Sequence, residues 1–369
     1  MTAMPDASPS ALKEMFNVAR YRKIAGLLAD IDPTIDRSRF LAVATTGLDD
    51  LTLIQRVRRT TEACRATLPS EFIQAVAVLK QFARRADQGF TSIFLPDFVG
   101  QYGHDNFAES MDALKYFTSF GSSEFAVREF LRRDLRRTLA VMTTWSRDPD
   151  EHVRRLASEG CRPRLPWSFR LTDLVADPSP VRPILENLRT DSSLYVRKSV
   201  ANHLNDISKD HPGVMLDWIE GWNLRHPSTA WIARHAARSL IKSGHARSLR
   251  LFGFNPAVAV SCSKISVSPA VVALGGSLTF KFFLKSTSPT RAQKLAVDYI
   301  LHYQKKSGRL SPKVFKLKEV TLKPQESVAL VKRQRLVDFS TRRHHPGRHQ
   351  IEIMVNGTVL ARRSFTLTR

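Results

Sequence analysis

Cysteine is scarce in this 369-residue chain. Cys64, Cys161 and Cys262 are odd in number and far apart, so neither a disulfide framework nor a CxxC-type zinc site can be assembled. That composition suits a reducing compartment. Long apolar runs are missing too: nothing approaches the ~18 residues of a membrane helix, and the first ten residues lack the basic end and apolar segment of a secretory signal. The expectation is a cytoplasmic protein that makes no use of a membrane. Acidic residues are also in short supply. Against 34 Asp+Glu stand 57 Lys+Arg, a net charge of +23, which points to a polyanionic partner such as nucleic acid or an acidic membrane surface. An acidic small molecule alone does not require it. No GxxxxGK[ST] phosphate loop, GxGxxG turn after a strand, HExxH or GxSxG elbow occurs, which sets aside nucleotide hydrolysis, dinucleotide redox chemistry, zinc proteolysis and α/β-hydrolase catalysis. Any chemistry must come from carboxylates, histidines and aromatics.

What is present is enough for two or three compact units of about 150 residues each. A hydrophobic share of 43% with 25% charged residues is that of a folded chain. The charge is uneven: residues 258–369 hold 21 Lys+Arg against 5 Asp+Glu, net +16, whereas residues 1–257 hold 36 against 29, net +7. We expect a flexible N-terminus over 1–10, a helical region over 11–254 and a β domain over 258–369. In the helical region apolar residues recur at helical spacing, as in Phe72, Val76, Leu79 and Phe82, or Phe130, Leu131, Leu135 and Leu139. Pro69, Asp148-Pro149 and Gly160 fall at the expected starts and stops.

Asp148 and Asp191 each precede a Val-Arg-basic core, Val153-Arg154-Arg155 and Val196-Arg197-Lys198, at a period of 43 residues, and Ile232-Ala233-Arg234 repeats the pattern about 36 residues later. A helix pair recurring at about 40 residues is the mark of HEAT-like repeats, which stack into an α-solenoid; a bundle of unrelated amphipathic helices is the competing explanation. Past Phe254 the pattern becomes strand-like over 277–284, 295–303, 314–322, 327–336, 349–355 and 358–366. Asn356-Gly357 supplies a two-residue hairpin, and Gly275-Gly276 and Ser307-Gly308 supply further turns. About seven strands suggest an immunoglobulin-like sandwich, with an OB-like barrel as the alternative. The fold class is therefore mainly α: a HEAT-like α-solenoid followed by an all-β sandwich.

Ser158-Glu159-Gly160-Cys161-Arg162-Pro163-Arg164-Leu165-Pro166-Trp167 leaves a helix through glycine and stiffens between two prolines, which would hold Arg162, Arg164 and Trp167 in defined directions. A linker with its Trp packed between repeats is the plainer account. Glu159 falls in a last helical turn, where the dipole favours cations, and Asp206 repeats the anomaly in a later helix; a solvated outer-face acid is the ordinary explanation of each. Glu124, after Gly121-Ser122-Ser123, is placed in a first helical turn, where an acid belongs. Arg234, Arg238 and Lys242, at i, i+4 and i+8, would share one helix face. With Arg154, Arg155, Arg197 and Lys198 they suit a phosphate backbone or simply a solvated surface. Arg342, Arg343, His344, His345 and Arg348 cluster near a strand and suit phosphates better than a metal, because adjacent histidines project differently.

These segments resemble the AlkC group of bacterial DNA alkylation repair glycosylases, relatives of AlkD built from HEAT-like repeats. The resemblance rests on Leu12-Lys13-Glu14-Met15-Phe16-Asn17, the 158–167 segment, Val196-Arg197-Lys198-Ser199-Val200-Ala201-Asn202-His203-Leu204-Asn205-Asp206, and Trp231-Ile232-Ala233-Arg234-His235-Ala236. Some members carry an immunoglobulin-like C-terminal domain. The resemblance implies a monofunctional DNA glycosylase, without metal or organic cofactor, that hydrolyses the N-glycosidic bond of N3-alkylated bases, notably 3-methyladenine and 3-methylcytosine. It implies catalytic roles for Glu159, Asp206 and Glu124 and a substrate contact from Trp167; the stiffened loop adds Arg162 and Arg164 as expected substrate contacts. DNA contacts are expected from Arg154, Arg155, Arg197, Lys198, Arg234, His235, Arg238, Arg342, Arg343 and Arg348. The implied partner is double-stranded DNA containing alkylated bases, bound by a monomer with no obligate protein partner. A non-catalytic binder of damaged or bent DNA, or a protein-binding HEAT scaffold, would use the same solenoid without chemistry.

Overall fold

Short polar side chains start the helices by accepting otherwise orphaned backbone N–H groups. Asn17 does so for α1 (Val18–Ile31) and Asp36 for α2 (Arg37–Thr45). The computed structural model describes residues 12–339 and 342–369, so the expected flexible N-terminus lies outside the described residues. Further helices are α3 (Leu53–Thr67), α4 (Phe72–Arg85), α5 (Phe94–Tyr102), α6 (Phe107–Phe117), α7 (Val127–Arg133), α8 (Leu135–Trp145), α9 (Glu151–Glu159), α10 (Thr172–Ala176), α11 (Arg182–Leu188), α12 (Leu194–Ile207), α13 (Pro212–Glu220), α14 (Pro227–Ala236), α15 (Arg238–Lys242) and α16 (Ala246–Leu251). Phe72, Val76, Leu79 and Phe82 form the buried face of α4. The 130–139 periodicity is broken at Asp134, which is not helical and caps α8 through Arg137 N at 3.0 Å.

The 43-residue repeat has a shared structural cause. Arg154 Nη1 donates to the carbonyls of Asp148 and Pro149 at 2.9 and 2.8 Å, and Arg197 Nη1 donates to those of Asp191 and Ser192 at 3.0 and 2.7 Å. Each arginine closes the loop that precedes its own helix. Arg154 also reaches the next repeat, with Nε 2.7 Å from Asp191 Oδ2. Both arginines are half-buried, and Arg154 ties its repeat to the next. The third copy differs: Ala237, with φ −77° and ψ 2°, separates α14 from α15, so Arg234, Arg238 and Lys242 do not share one continuous helix face.

The described chain divides into two compact units, one running to His211 and adding Trp222–Ala236, the other comprising Pro212–Gly221 and Ala237–Arg369. The second therefore takes in helices ahead of the step in charge and rhythm at 254–258. Arg247 of α16 holds Asp217 and Glu220 of α13, and Asn356 Nδ2 donates to Asn255 O at 2.9 Å. The strands of this unit are β1 (Val260–Cys262), β2 (Ser266–Ser268), β3 (Val271–Ala273), β4 (Ser277–Ser286), β5 (Gln293–Gln304), β6 (Leu310–Leu322), β7 (Ser327–Arg335), β8 (Gly347–Val355) and β9 (Thr358–Thr368). β4 pairs with β1, β2 and β7, while the other sheet runs β3-β9-β8-β5-β6. Leu278, Phe280, Phe282 and Leu284 alternate inward from β4 and share a core with Tyr299, Leu301, Ile351 and Ile353 of the other sheet. Two sheets over one core make a sandwich rather than a closed barrel. Asn356 and Gly357 take φ of 47° and 84°, as the expected two-residue hairpin turn between β8 and β9 requires.

Candidate active site

The site is built in the helical unit around the segment that follows α9. Gly160 ends that helix with an ordinary φ of −63°; its small size is what matters, because a Cβ there would lie 2.5 Å from Val127 Cγ1. The chain then folds back on itself, with Arg162 N donating to Glu159 O at 3.3 Å and Leu171 N to Pro163 O at 3.2 Å. Trp167 has φ +65° and is 55% exposed. A bulky residue with that backbone is strained, and an exposed indole gains little burial to offset it.

Glu159 and Asp206, the acids in last helical turns, are both buried, at 6% and 3% exposure, and Arg162 joins them. Its Nη1 lies 2.6 Å from Glu159 Oε1, and its Nε and Nη2 lie 2.8 Å from Asp206 Oδ2. Ser199 Oγ donates to Glu159 Oε2 at 2.6 Å, and Lys209 Nζ stands 2.8 Å from Asp206 Oδ1. Arg155 Nη2 approaches Glu159 Oε1 at 3.4 Å, while its Nη1 contacts Glu124 Oε2 and, at 2.8 Å, Ser122 Oγ. The three acids thus form one chain, Asp206–Arg162–Glu159–Arg155–Glu124. Glu124 lies in the turn before α7 rather than in its first helical turn.

Burial alone would raise the pKa of Glu159, but Arg155, Arg162 and the Ser199 hydroxyl outweigh it and hold the carboxyl below its usual range. Burial likewise works against the charge of Arg155 and Arg162; Glu124 and Glu159 outweigh it for Arg155, and Glu159 and Asp206 for Arg162, so both stay cationic. His203, fully buried with Nδ1 3.0 Å from Ser158 O, is pushed by burial down to about 4. It is neutral near pH 7. The charged groups able to do chemistry here are carboxylates.

Trp167 lines a cavity of ≈ 160 Å³ together with Phe125, Phe169, Ile54, Asp97 and Ser122. Ser122 connects that wall to the acid chain through Glu124 and Arg155. Asp97 accepts from Arg58 and Thr61, yet burial outweighs both and raises its pKa.

The other residues singled out in the sequence are dispersed. Arg164 forms a two-point pair with Asp210 at 2.6 and 2.7 Å. Lys198 is exposed; Arg234, His235 and Arg238 are half-buried, with His235 stacked on Trp231 at 5.0 Å. In the sandwich unit, Arg342 lies 5.0 Å from the Tyr303 ring centroid, Arg343 is exposed, and exposed Arg348 of β8 donates to Ser364 Oγ at 3.2 Å. His344 is buried and hydrogen-bonded to Asp338. Sequence reasoning missed Ser199, Ser122, Lys209 and Tyr195, whose ring lies 5.1 Å from the Arg155 guanidinium; nothing in their local sequence distinguishes them from ordinary surface or core positions.

Known proteins bear on this architecture in two ways. Residues 112–240, which contain the whole acid chain, match the family described as DNA alkylation repair enzyme, and residues 261–369 match the C-terminal Ig-like domain of the uncharacterised protein YhaZ. A helical unit of this family followed by an Ig-like β-sandwich thus places the chain among DNA alkylation repair proteins. The uncharacterized protein YhaZ of Bacillus subtilis is 40% identical over 351 residues, covering 94% of this chain and 97% of its own. The alkylpurine DNA glycosylase AlkC of Pseudomonas fluorescens, solved bound to DNA containing an abasic site analog, is 50% identical with a TM-score of 0.93, covering 97% of this chain and 99% of that one. The chain belongs to the AlkC family.

Proposed function

We propose that this chain is a monofunctional DNA glycosylase that hydrolyses the N-glycosidic bond of cationic N3-alkylated bases, 3-methyladenine and 3-methylcytosine among them, leaving an abasic site. The observation that carries the reading is the pair of buried carboxylates, Glu159 and Asp206, held by a single arginine. A base alkylated at N3 is already positive and leaves readily, so a general acid is dispensable. The sugar it leaves behind resembles an oxocarbenium ion. Glu159 and Asp206 stabilise that cation, and one of them orients or deprotonates the attacking water. Trp167, exposed in the same segment that carries Arg162, lies against the cationic nucleotide with an attraction of about 0.5–2 kcal/mol. Arg155 and Arg162 keep the carboxylates ionised, and Glu124 takes part through Arg155.

The protein acts as a cytoplasmic monomer on duplex DNA, and the exposed cations Lys198, Arg343 and Arg348 engage phosphates. Replacing Arg343 and Arg348 together with Gln is expected to flatten the dependence of log affinity on log salt by about 0.9 for each phosphate no longer neutralised, measured by fluorescence anisotropy over a salt series. An unchanged slope removes both residues from the interface. The central test incubates purified protein with methylated duplex DNA and analyses the supernatant chromatographically. Release of 3-methyladenine or 3-methylcytosine is expected. Salt-sensitive DNA affinity with no released base would instead establish the non-catalytic binder.

A further inference from the structure

Arg128 of α7 has no solvent exposure, and among the described residues no carboxylate pairs with it. Its acceptors are main-chain carbonyls: Nη1 donates to Gly160 O at 2.9 Å and to Arg162 O at 2.7 Å, and Nη2 donates to Phe169 O. Its Nε is buried without a hydrogen-bond partner. The guanidinium stands 5.3 Å from the centroid of the Phe169 ring, and that of Arg132 stands 5.2 Å from the same centroid.

A buried charge is costly unless its hydrogen bonds are satisfied. The three carbonyls that accept from the Nη groups of Arg128 come from one segment, 160–169, and stay in reach only while that segment keeps its present path. Loss of the path would strand a guanidinium inside the protein. Arg128 and the segment therefore hold each other, and the clamped carbonyls bracket two side chains of the site. One belongs to Arg162, which joins Glu159 to Asp206; the other residue bracketed is Trp167, with its unfavourable φ. An arginine fork suits three carbonyls because its donors diverge in a fixed plane, whereas a lysine presents a point charge.

We infer that Arg128 is a positioning residue: by clamping the 160–169 segment through three main-chain carbonyls it fixes Arg162, and through it the two carboxylates, and sets Trp167 in its working place. This rests on the glycosylase reading above. Burial lowers the pKa of Arg128 to about 10, which leaves it cationic at neutral pH, as the clamp requires.

The test compares wild type, Arg128→Lys and Phe169→Ala, each scored per folded molecule. Single-turnover release of 3-methyladenine should fall by about 100-fold in Arg128→Lys, the scale expected when reacting groups shift by an ångström. A loss of about 10-fold is expected in Phe169→Ala, which loosens the segment without removing the charge. Affinity for abasic-analogue DNA should stay within about 3-fold, because the loss concerns the transition state rather than binding. Hydrogen exchange at the amides of Arg162, Ser168 and Leu171 should quicken in both variants. Wild-type rates per folded molecule, or unchanged exchange, overturn the inference; a merely structural role gives the first of these, with lowered stability alone. If Arg128→Lys does not fold, Phe169→Ala decides by the same criteria. If the wild type itself releases no base, the glycosylase reading fails, and the exchange measurement still decides the clamp.

Discussion

Glu159→Gln should slow base release by about a thousandfold or more while leaving DNA affinity nearly intact. At about 4 Å and an effective dielectric near 20, one carboxylate attracts an oxocarbenium-like sugar by about 4 kcal/mol, and that attraction, gained only in the transition state, is worth roughly a thousandfold in rate. Glutamine keeps the shape and accepts from Ser199, so the substitution isolates the charge. Asp206→Asn should behave alike, because its carboxylate is as buried and shares the same arginine. Glu124→Gln should cost less, since Glu124 reaches Glu159 only through Arg155. Affinity is spared because acids beside phosphates do not contribute to holding undamaged DNA. Chromatographic release kinetics and fluorescence anisotropy check the two halves separately, and a Glu159→Gln enzyme with near wild-type turnover would remove that residue from the chemistry.

Why these two acids are legible in the sequence, and their setting is not, has a physical explanation. A carboxylate in a last helical turn opposes the dipole, so Glu159 and Asp206 stand out without coordinates. The structure resolves the anomaly with cations: Arg155 and Arg162 flank Glu159 and Lys209 flanks Asp206 within four residues in sequence, whereas the pair that joins the two acids, Arg162 with Asp206, spans 44 residues. Local patterns carry no information about that long-range pair. The β-strands are readable for the opposite reason: alternation and turn chemistry are local, and β4, β5 and β9 fall where 277–284, 295–303 and 358–366 are expected, lengthened by a few residues. The arginine repeat shows the limit between these cases. The 43-residue spacing of Arg154 and Arg197 is visible, but sequence does not distinguish an arginine that faces solvent from one that closes its own loop. Arg128 gives no signal, because nothing near it in sequence announces that its acceptors are the carbonyls of a segment more than 30 residues on.

Arg162→Gln is expected to be the most destabilising change in the site, and its cost should depend on pH. Arg162, Glu159 and Asp206 have side chains 9%, 8% and 3% exposed, and removing one partner of a buried pair typically costs about 3–5 kcal/mol. Arg155 and Lys209 remain near the two acids, which places the expected loss at about 3 kcal/mol, a large part of the ~5–15 kcal/mol that holds a typical domain. The sign of the pH effect follows from Glu159. In the wild type its carboxyl titrates below the usual range, so the stability it contributes is present above the unfolded value and lost as pH falls through the folded one. Without Arg162 the penalty of burial gains weight, the folded carboxyl rises, and protonation relieves rather than removes stability. The difference between wild type and variant should therefore shrink as pH falls from 7 towards 4.5. Adding Glu159→Gln to Arg162→Gln should recover part of the loss at pH 7, because an uncompensated anion is no longer buried. Urea titrations of the four proteins at both pH values check this. Equal differences at the two pH values, or strictly additive losses at pH 7, would mean that Arg162 does not hold the acids in their charged form.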